Sequence, residues 1–246
     1  MRLSDPWRIG PCALNPPTPS SFSVDHADAW LQTRQLVGAR NGQRLWGPLS
    51  LRLSPGEALH VQGPNGSGKT TLLRTLAGLR PPALGQVQSS PALQAGGLWW
   101  LGHALPLAEA LDAQHNLLHW LALAGAPVDT QAVARQLQRL QVPAGRPLRQ
   151  LSAGQRRKTG LAVLALAPRP LWLLDEPFDA LDQAGCDWLA ELAAAHCAAG
   201  GALVFSAHQV PPGALARARV LNLQPAAEPA SAETASQAAT PVWAGA

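Results

Sequence analysis

The spacing of apolar residues changes period several times along this chain, and each change marks an element. Leu49-Ser50-Leu51-Arg52-Leu53 alternates apolar and polar positions, the period of a half-buried strand. Trp30-Leu31-Gln32-Thr33 reads as an earlier strand, with a turn at Asn41-Gly42 between the two. Ser54-Pro55-Gly56-Glu57 puts Pro and Gly where a type II turn wants them, and leads into a strand at Ala58-Leu59-His60-Val61. From Thr71 to Ala77 the period lengthens to that of a helix, with Leu72, Leu73, Leu76 and Leu79 on one side. Arg80-Pro81-Pro82 and Gly85 end that element. Leu98-Trp99-Trp100-Leu101 is a short buried strand.

From about Ala104 to Gln150 the pattern is helical. Asn116 to Leu121 belongs to one amphipathic helix, closed by Gly125. A second starts from Asp129, a good N-cap, and carries Val133, Leu137 and Leu140 on one face until Pro143 and Gly145 stop it. Leu151-Ser152-Ala153-Gly154-Gln155 opens a third, running to about Ala167. Leu171-Trp172-Leu173-Leu174 and Ala202-Leu203-Val204-Phe205 are uninterrupted apolar runs, as expected of strands covered on both faces. Between them lie a loop, Pro177 to Asp182, and a helix that stops at Gly200-Gly201. The ends differ in character. Residues 1–28 are rich in Pro and Ser, and residues 224–246 in Ala, Pro, Glu and Ser, so both are expected to be extended or disordered. The pattern therefore predicts one α/β domain over 29–223, with a mainly parallel central sheet, an N-terminal antiparallel β part, and a helical insert at about 104–150.

Chemistry enters at Gly63-Pro64-Asn65-Gly66-Ser67-Gly68-Lys69-Thr70. This is G-x-x-x-x-G-K-T between a predicted strand and a predicted helix, the context a phosphate-binding loop needs. Its glycines let several N–H groups converge on one anion, and the helix adds its positive N-terminal end. Lys69 can reach terminal phosphates, and the Thr70 hydroxyl can ligate Mg²⁺. Asp175, at the end of an apolar strand, can supply a second hard oxygen to the same ion. Glu176 follows it and can orient and polarise an attacking water. Two acids after an apolar run are, taken alone, equally an acidic strand end; the upstream phosphate loop favours the catalytic reading. His208 also ends a predicted strand, where it can hydrogen-bond a terminal phosphate.

Composition narrows the picture. Of the 246 residues, 47% are hydrophobic and only 14% charged, which leaves surface for a partner to cover. A net charge of +4 suits an anionic ligand or a membrane face, while no basic run or basic–aromatic interleaving points to nucleic acid. Cys12, Cys186 and Cys197 form no metal or redox motif, which favours a reducing compartment. No apolar run approaches the ~18 residues of a membrane span, and the N-terminus lacks the pattern of a signal peptide.

Leu151-Ser152-Ala153-Gly154-Gln155 resembles the L-S-G-G-Q signature of the ABC (ATP-binding cassette) ATPases, and the ordered series of motifs is similar to that family from about Ala29 to Leu223. The resemblance implies ATP, with Mg²⁺ held by Thr70 and Asp175. Gly63 to Thr70 with Thr71 would be the Walker A segment, Leu171 to Glu176 the Walker B strand with its catalytic glutamate, Asp182 the D-loop acid and His208 the switch histidine. It also implies a second cassette, most simply another copy, whose signature closes over the nucleotide. Ser152, as an N-cap, would supply an anion site for that purpose. Two departures stand out. His103 occupies the position of the family's glutamine. The chain has no Tyr, and Asn41 sits where an adenine-stacking ring is expected, with Trp46 as its substitute.

In detail the chain resembles the CcmA branch, the ATPases of cytochrome c maturation. The carriers are Trp100-Leu101-Gly102-His103, the L-S-A-G-Q signature followed by Arg156, Arg157 and Lys158, and the segment Pro170 to Phe178; Ala104 departs from the usual glutamine. That likeness implies a peripheral protein on the cytoplasmic side of a bacterial inner membrane, associated through membrane subunits resembling CcmB and CcmC. Its hydrolysis of ATP would drive heme export or release of the heme-loaded chaperone CcmE. An exporter of another substrate and a non-hydrolysing regulatory cassette remain the alternatives. DNA-repair and translation cassettes need longer inserts or two cassettes in one chain.

Overall fold

Asn41 and Gly42 both take positive φ, 51° and 78°, so strand β1 (Leu31–Arg40) turns directly back into β2 (Gln43–Leu49) with Arg40 opposite Gln43. The computed structural model describes residues 29–224; the terminal segments 1–28 and 225–246, with Cys12, lie outside the described residues. The expected strand Leu49–Leu53 is interrupted. β2 ends at Leu49, and a two-residue strand β3 (Arg52–Leu53) follows, both antiparallel to β1. The cause is the Thr33 side chain, whose hydroxyl accepts from Leu51 N at 3.0 Å and donates to Leu49 O at 3.2 Å. A side chain thus replaces part of the ladder.

Next come β4 (Ala58–Gln62) and helix α1 (Lys69–Leu76). Leu79 was expected on the buried face of that helix, yet it is exposed, because the helix closes at Ala77 and Gly78 turns the chain at φ 73°. Strand β5 (Leu84–Ser89), which the apolar pattern missed, pairs with the other edge of β1. Most of its residues are exposed, so it carries no buried face to betray it. Helix α2 (Pro91–Gly96) was missed as well; Ser90 caps it by accepting from Leu93 N at 3.1 Å.

The remaining elements are β6 (Leu98–Leu101), α3 (Ala113–Leu123), α4 (Thr130–Arg139), α5 (Ala153–Leu161), α6 (Val163–Leu166), β7 (Leu171–Leu174), α7 (Gln183–Ala198), β8 (Ala202–Ser206) and β9 (Arg219–Asn222). The helix expected to run from Ser152 to Ala167 breaks at Ala162 into α5 and α6. Five strands form one all-parallel sheet in the order β6-β7-β8-β4-β9, with the short, mostly exposed β9 at an edge. The fold is therefore α/β, with a parallel central sheet and a separate antiparallel sheet, as the apolar pattern predicted.

Strand alternation divides the core in two. Leu171, Leu173, Ala202 and Val204 share one cluster with Leu72, Leu73 and Leu76 of α1, with Trp30 just before β1 and with Leu53 of β3. Trp172, Leu174, Leu203 and Phe205 share the other with Leu117, Val133 and Leu161 of the helices. Both sheet faces are covered, which is why β7 and β8 have no polar alternation. His196 belongs to the second layer. Its ring lies flat on Trp172 at 3.8 Å between centroids, and a Cβ on Gly201 would collide with it. Burial pushes its pKa down to about 4, so it packs as a neutral ring. No helix among the described residues is long and apolar enough to cross a membrane.

Candidate nucleotide site

Three carboxyl ends of adjacent parallel strands, those of β7, β8 and β4, meet at one place. Beyond β4 the backbone curls into a loop. Gly63 has φ 153°, and a Cβ there would lie 2.6 Å from Leu223 O and 2.7 Å from Ser67 Oγ. Gly68 has φ 90° and lies against the Trp46 indole, whose Nε1 donates to Gly68 O at 3.2 Å. No L side chain fits either position without strain. Helix α1 has no side-chain cap and no acid in its first turn, so its leading N–H groups face the loop unneutralised. Lys69 opens the helix as a buried residue at the edge of the cleft, and it pairs with no carboxylate among the described residues. Nζ donates to Gly63 O at 2.9 Å and to Pro64 O at 3.4 Å, which leaves a donor for an anion.

Asp175 is buried and held from both sides. Thr70 Oγ1 donates to its Oδ2 at 2.7 Å, and Ser206 Oγ donates to its Oδ1 at 2.7 Å. Ser206 Oγ in turn accepts from Glu176 N at 2.9 Å. His208 Nε2 stands 3.3 Å from Glu176 Oε1, while Glu176 Oε2 and Ser67 Oγ are buried with no hydrogen-bond partner among the described residues. Burial pushes the Glu176 carboxyl above its ordinary range. His208 opposes that rise, Asp179 adds to it, and weaker effects of Lys69 and Asp175 pull in opposite directions. A carboxylate with one unpartnered oxygen and a raised affinity for protons suits a general base. Thr70 Oγ1 and Asp175 Oδ2 are hard oxygens at hydrogen-bond distance, and this donor set fits Mg²⁺, an ion that takes one or two protein ligands and keeps the rest as water and phosphate.

These groups surround a cleft of about 330 Å³ lined by Asn65, Gly66, Gly68, Lys69, Thr70 and Thr71 together with His103, Asp175, Glu176 and His208. His103 is largely exposed, with Nδ1 3.9 Å from Asp179 Oδ2. Trp46, expected as the ring for a base, is not available: it is 2% exposed and turned under the loop against Gly38 and Gly68. Arg40 and Leu45 line the cleft instead. Sequence reasoning missed both, because an arginine and a leucine beside a hairpin turn carry no signal of their own. It also missed Ser206, a single serine in an apolar strand.

The Leu151 to Gln155 segment is built as a capping box. Ser152 Oγ accepts from Gln155 N at 3.1 Å, and Gln155 Oε1 accepts from Ser152 N at 3.0 Å. Leu151 is buried, Ser152 and Ala153 are exposed, and the segment does not line the cleft of its own chain. A Cβ on Gly154 would lie 2.6 Å from Ala180 O, so this glycine lets the turn before α7 approach. Asp182 caps α7 by accepting from Gly185 N at 2.9 Å, and pairs with Lys158 Nζ at 2.8 Å. The hydrogen bond from Lys158 holds the Asp182 carboxyl below the usual carboxylate range.

The chain is similar to known proteins over most of its length. The family model described as ABC transporter matches residues 47–179. The cytochrome c biogenesis ATP-binding export protein CcmA of Pseudomonas aeruginosa is 45% identical over 188 residues, covering 73% of this chain and 93% of its own length. The protein of the same description from Rhodobacter capsulatus is 43% identical, covering 79% and 87%. Among solved structures, an ABC transporter ATP-binding protein from Pyrococcus furiosus superposes with a TM-score of 0.65 at 22% identity, over 78% of this chain and 96% of that one. A dimeric ATP-binding cassette in a post-hydrolysis state with ADP and phosphate superposes at 0.66 with 19% identity, over 79% and 94%. The chain belongs to the ABC transporter family, as an ATP-binding and ATP-hydrolysing cassette with CcmA proteins among its relatives.

Proposed function

We propose that this chain is the ATPase subunit of an exporter complex for cytochrome c biogenesis, coupling ATP hydrolysis to heme export or to release of a heme-loaded chaperone of the CcmE kind. The observation that carries the catalytic part is Glu176, buried, with one oxygen on His208 and the other without a partner among the described residues, lining the same cleft as the phosphate loop. The extent and sequence similarity of the CcmA relatives support the transport role.

In this reading residues 29–223 are the working domain, with the helices of about 104–150 as its insert. The backbone of Gly63 to Thr71 cradles the triphosphate, and Lys69 binds its terminal phosphates. Thr70 and Asp175 would hold Mg²⁺, which when bound would neutralise charge on the phosphate oxygens. Glu176 accepts the proton of the attacking water, and His208 keeps Glu176 oriented while reaching the terminal phosphate. Ser152 and its neighbours sit at an exposed helix start outside their own cleft, which supports their use on the nucleotide of a second copy, with Asp182 close to that junction. His103, exposed at the cleft rim, takes the place from which the family's glutamine meets the membrane subunit.

The base lies against Arg40 and Leu45, since Trp46 is sequestered. A guanidinium stacked on a purine contributes roughly 1 kcal/mol, which is about a 5- to 10-fold change in affinity. Arg40→Ala is therefore expected to weaken ATP about that much in a fluorescence titration while leaving inorganic tripolyphosphate, which has no base, unchanged. Equal weakening of both would make Arg40 a phosphate contact and leave the base seat elsewhere.

Partners resembling CcmB and CcmC would place the protein peripherally on the cytoplasmic side of a bacterial inner membrane. A mild-detergent pull-down of the tagged protein from its native membranes tests this. Such subunits, with a heme absorbance band that ATP releases, are the expected result. A different permease would keep the ATPase and replace the cargo, and no membrane partner at all would refute the exporter.

A further inference from the structure

Arg157 is a buried cation that pairs with no carboxylate among the described residues. Its guanidinium donates to main-chain carbonyls from two separate segments: Gly102 at 2.9 Å and His103 at 3.2 Å after β6, and Asp175 at 2.9 Å, Glu176 at 2.8 Å and, more loosely, Pro177 at 3.4 Å after β7. The residue itself belongs to α5, the helix that the Ser152 capping box begins. One side chain therefore joins the signature helix, the acid turn and the His103 segment. The planar fork of five N–H donors is what makes this possible, and no other side chain has it.

The acid turn needs such a grip. Glu176 sits at φ 49° and Ala180 at φ 63°, conformations that non-glycine residues rarely adopt and that persist only when their surroundings enforce them. Glu176 is clamped at both ends of its peptide: Ser206 Oγ accepts from its N–H at 2.9 Å, and Arg157 Nη2 donates to its C=O at 2.8 Å. Arg157 makes no contact with the phosphate loop among its hydrogen bonds, so it can set the base without setting nucleotide affinity.

We propose that Arg157 is a positioning residue that locks Glu176 and the His103 segment to helix α5, so that a displacement of the signature helix moves the base. This rests on the reading of Glu176 as the base. With the signature of each copy meeting the other copy's nucleotide, as proposed above, Arg157 makes the hydrolytic geometry of one cleft responsive to docking at the neighbouring one.

The test uses the full-length protein with Arg157→Lys, which keeps the buried charge, and Arg157→Met, which keeps the length. The expected result for Arg157→Met is a fall in kcat of about 100-fold with KM for ATP within about 3-fold, because a general base contributes roughly 10²–10⁴ and the nucleotide contacts are untouched. Arg157→Lys recovers only part of the rate, since one ammonium cannot serve five carbonyls. Added to Glu176→Gln, Arg157→Met causes no further loss, because both act through one group. Amide hydrogen exchange on nucleotide-free protein gives a second readout: residues 102–104 and 175–180 exchange faster in Arg157→Lys, while 63–70 keep their parental rates. A kcat unchanged in Arg157→Lys and Arg157→Met overturns the proposal. So does a second full loss in the double variant, or a loss of ATP affinity that tracks the loss of rate, which marks a merely structural residue. Should Glu176→Gln alone turn over at the parental rate, the base assignment fails and this proposal falls with it, an outcome separable from the others.

Discussion

Glu176→Gln is expected to lower ATP turnover by about 10²–10⁴-fold, the range of a lost general base, while ATP still binds and traps an ATP-loaded dimer. The amide keeps the shape of the side chain and its place beside His208, 3.3 Å away, but it cannot take a proton from water. Burial has raised the carboxyl's proton affinity, which strengthens it as a base and also costs stability when it ionises. The direction of that cost is testable. An acid whose folded pKa is raised binds its proton more tightly in the native state, so its stabilising effect is present in acid and is lost as pH rises through the raised value. Nucleotide-free Glu176→Gln should therefore melt above the parent at neutral pH, and the gap should close in acid. Rapid-quench measurements of hydrolysis, with size-exclusion chromatography in ATP and calorimetry without it, read all three effects. Turnover at the parental rate would show that the proton goes elsewhere.

Lys69→Ala should do the opposite and remove binding itself. Hydrogen bonds from a charged donor contribute about 1.5–3 kcal/mol each, so losing a donor that reaches the phosphates weakens ATP by roughly 10- to 150-fold per bond. The substitution also frees Gly63 O and Pro64 O, which Lys69 Nζ now holds at 2.9 Å and 3.4 Å, so the loop loses the tie that keeps its amides convergent. Isothermal titration with ATP is the direct measurement. Affinity within a factor of two of the parent would mean that the ammonium is only a strut of the loop. On the proposed reading the pair of variants separates the site into halves, Lys69 reporting on holding the nucleotide and Glu176 on cleaving it.

Much of the site was legible because its parts are local. A glycine loop between strand and helix, an N-cap serine with its Gln155 partner, and an acid at the end of an apolar strand each follow from a few consecutive residues. The structure built each as expected, and the capping box of Ser152 and Gln155 is complete in both directions. The parallel sheet was legible for the same reason, from apolar runs in β7 and β8 that only a doubly covered strand requires. The misses share a physical character too. Strands β5 and β9 are exposed and lack a buried face, and Thr33 interrupts the Leu49–Leu53 strand through a contact 18 residues away.

Trp46 shows the limit most clearly. Its position in the chain made it a natural ring for the base, yet its indole is spent on Gly68 O and on the space a Cβ at Gly38 or Gly68 would fill. Whether an aromatic side chain turns toward a cleft or beneath a loop is a packing outcome, invisible to spacing. The same holds for Ser206 and Arg157.

The sequence by itself determined the fold class, the glycine loop between strand and helix and the two acids that follow an apolar strand, because periodicity, glycine freedom and helix capping act over a few residues. Only the tertiary structure decided which groups meet: Thr70 with Asp175 across 105 positions, Asp175 with Ser206 across 31, and the Arg157 fork on two distant turns. The strand order β7-β8-β4 sets those meetings, for it brings three carboxyl ends side by side, and strand order comes from how two hydrophobic layers close over both faces of the sheet.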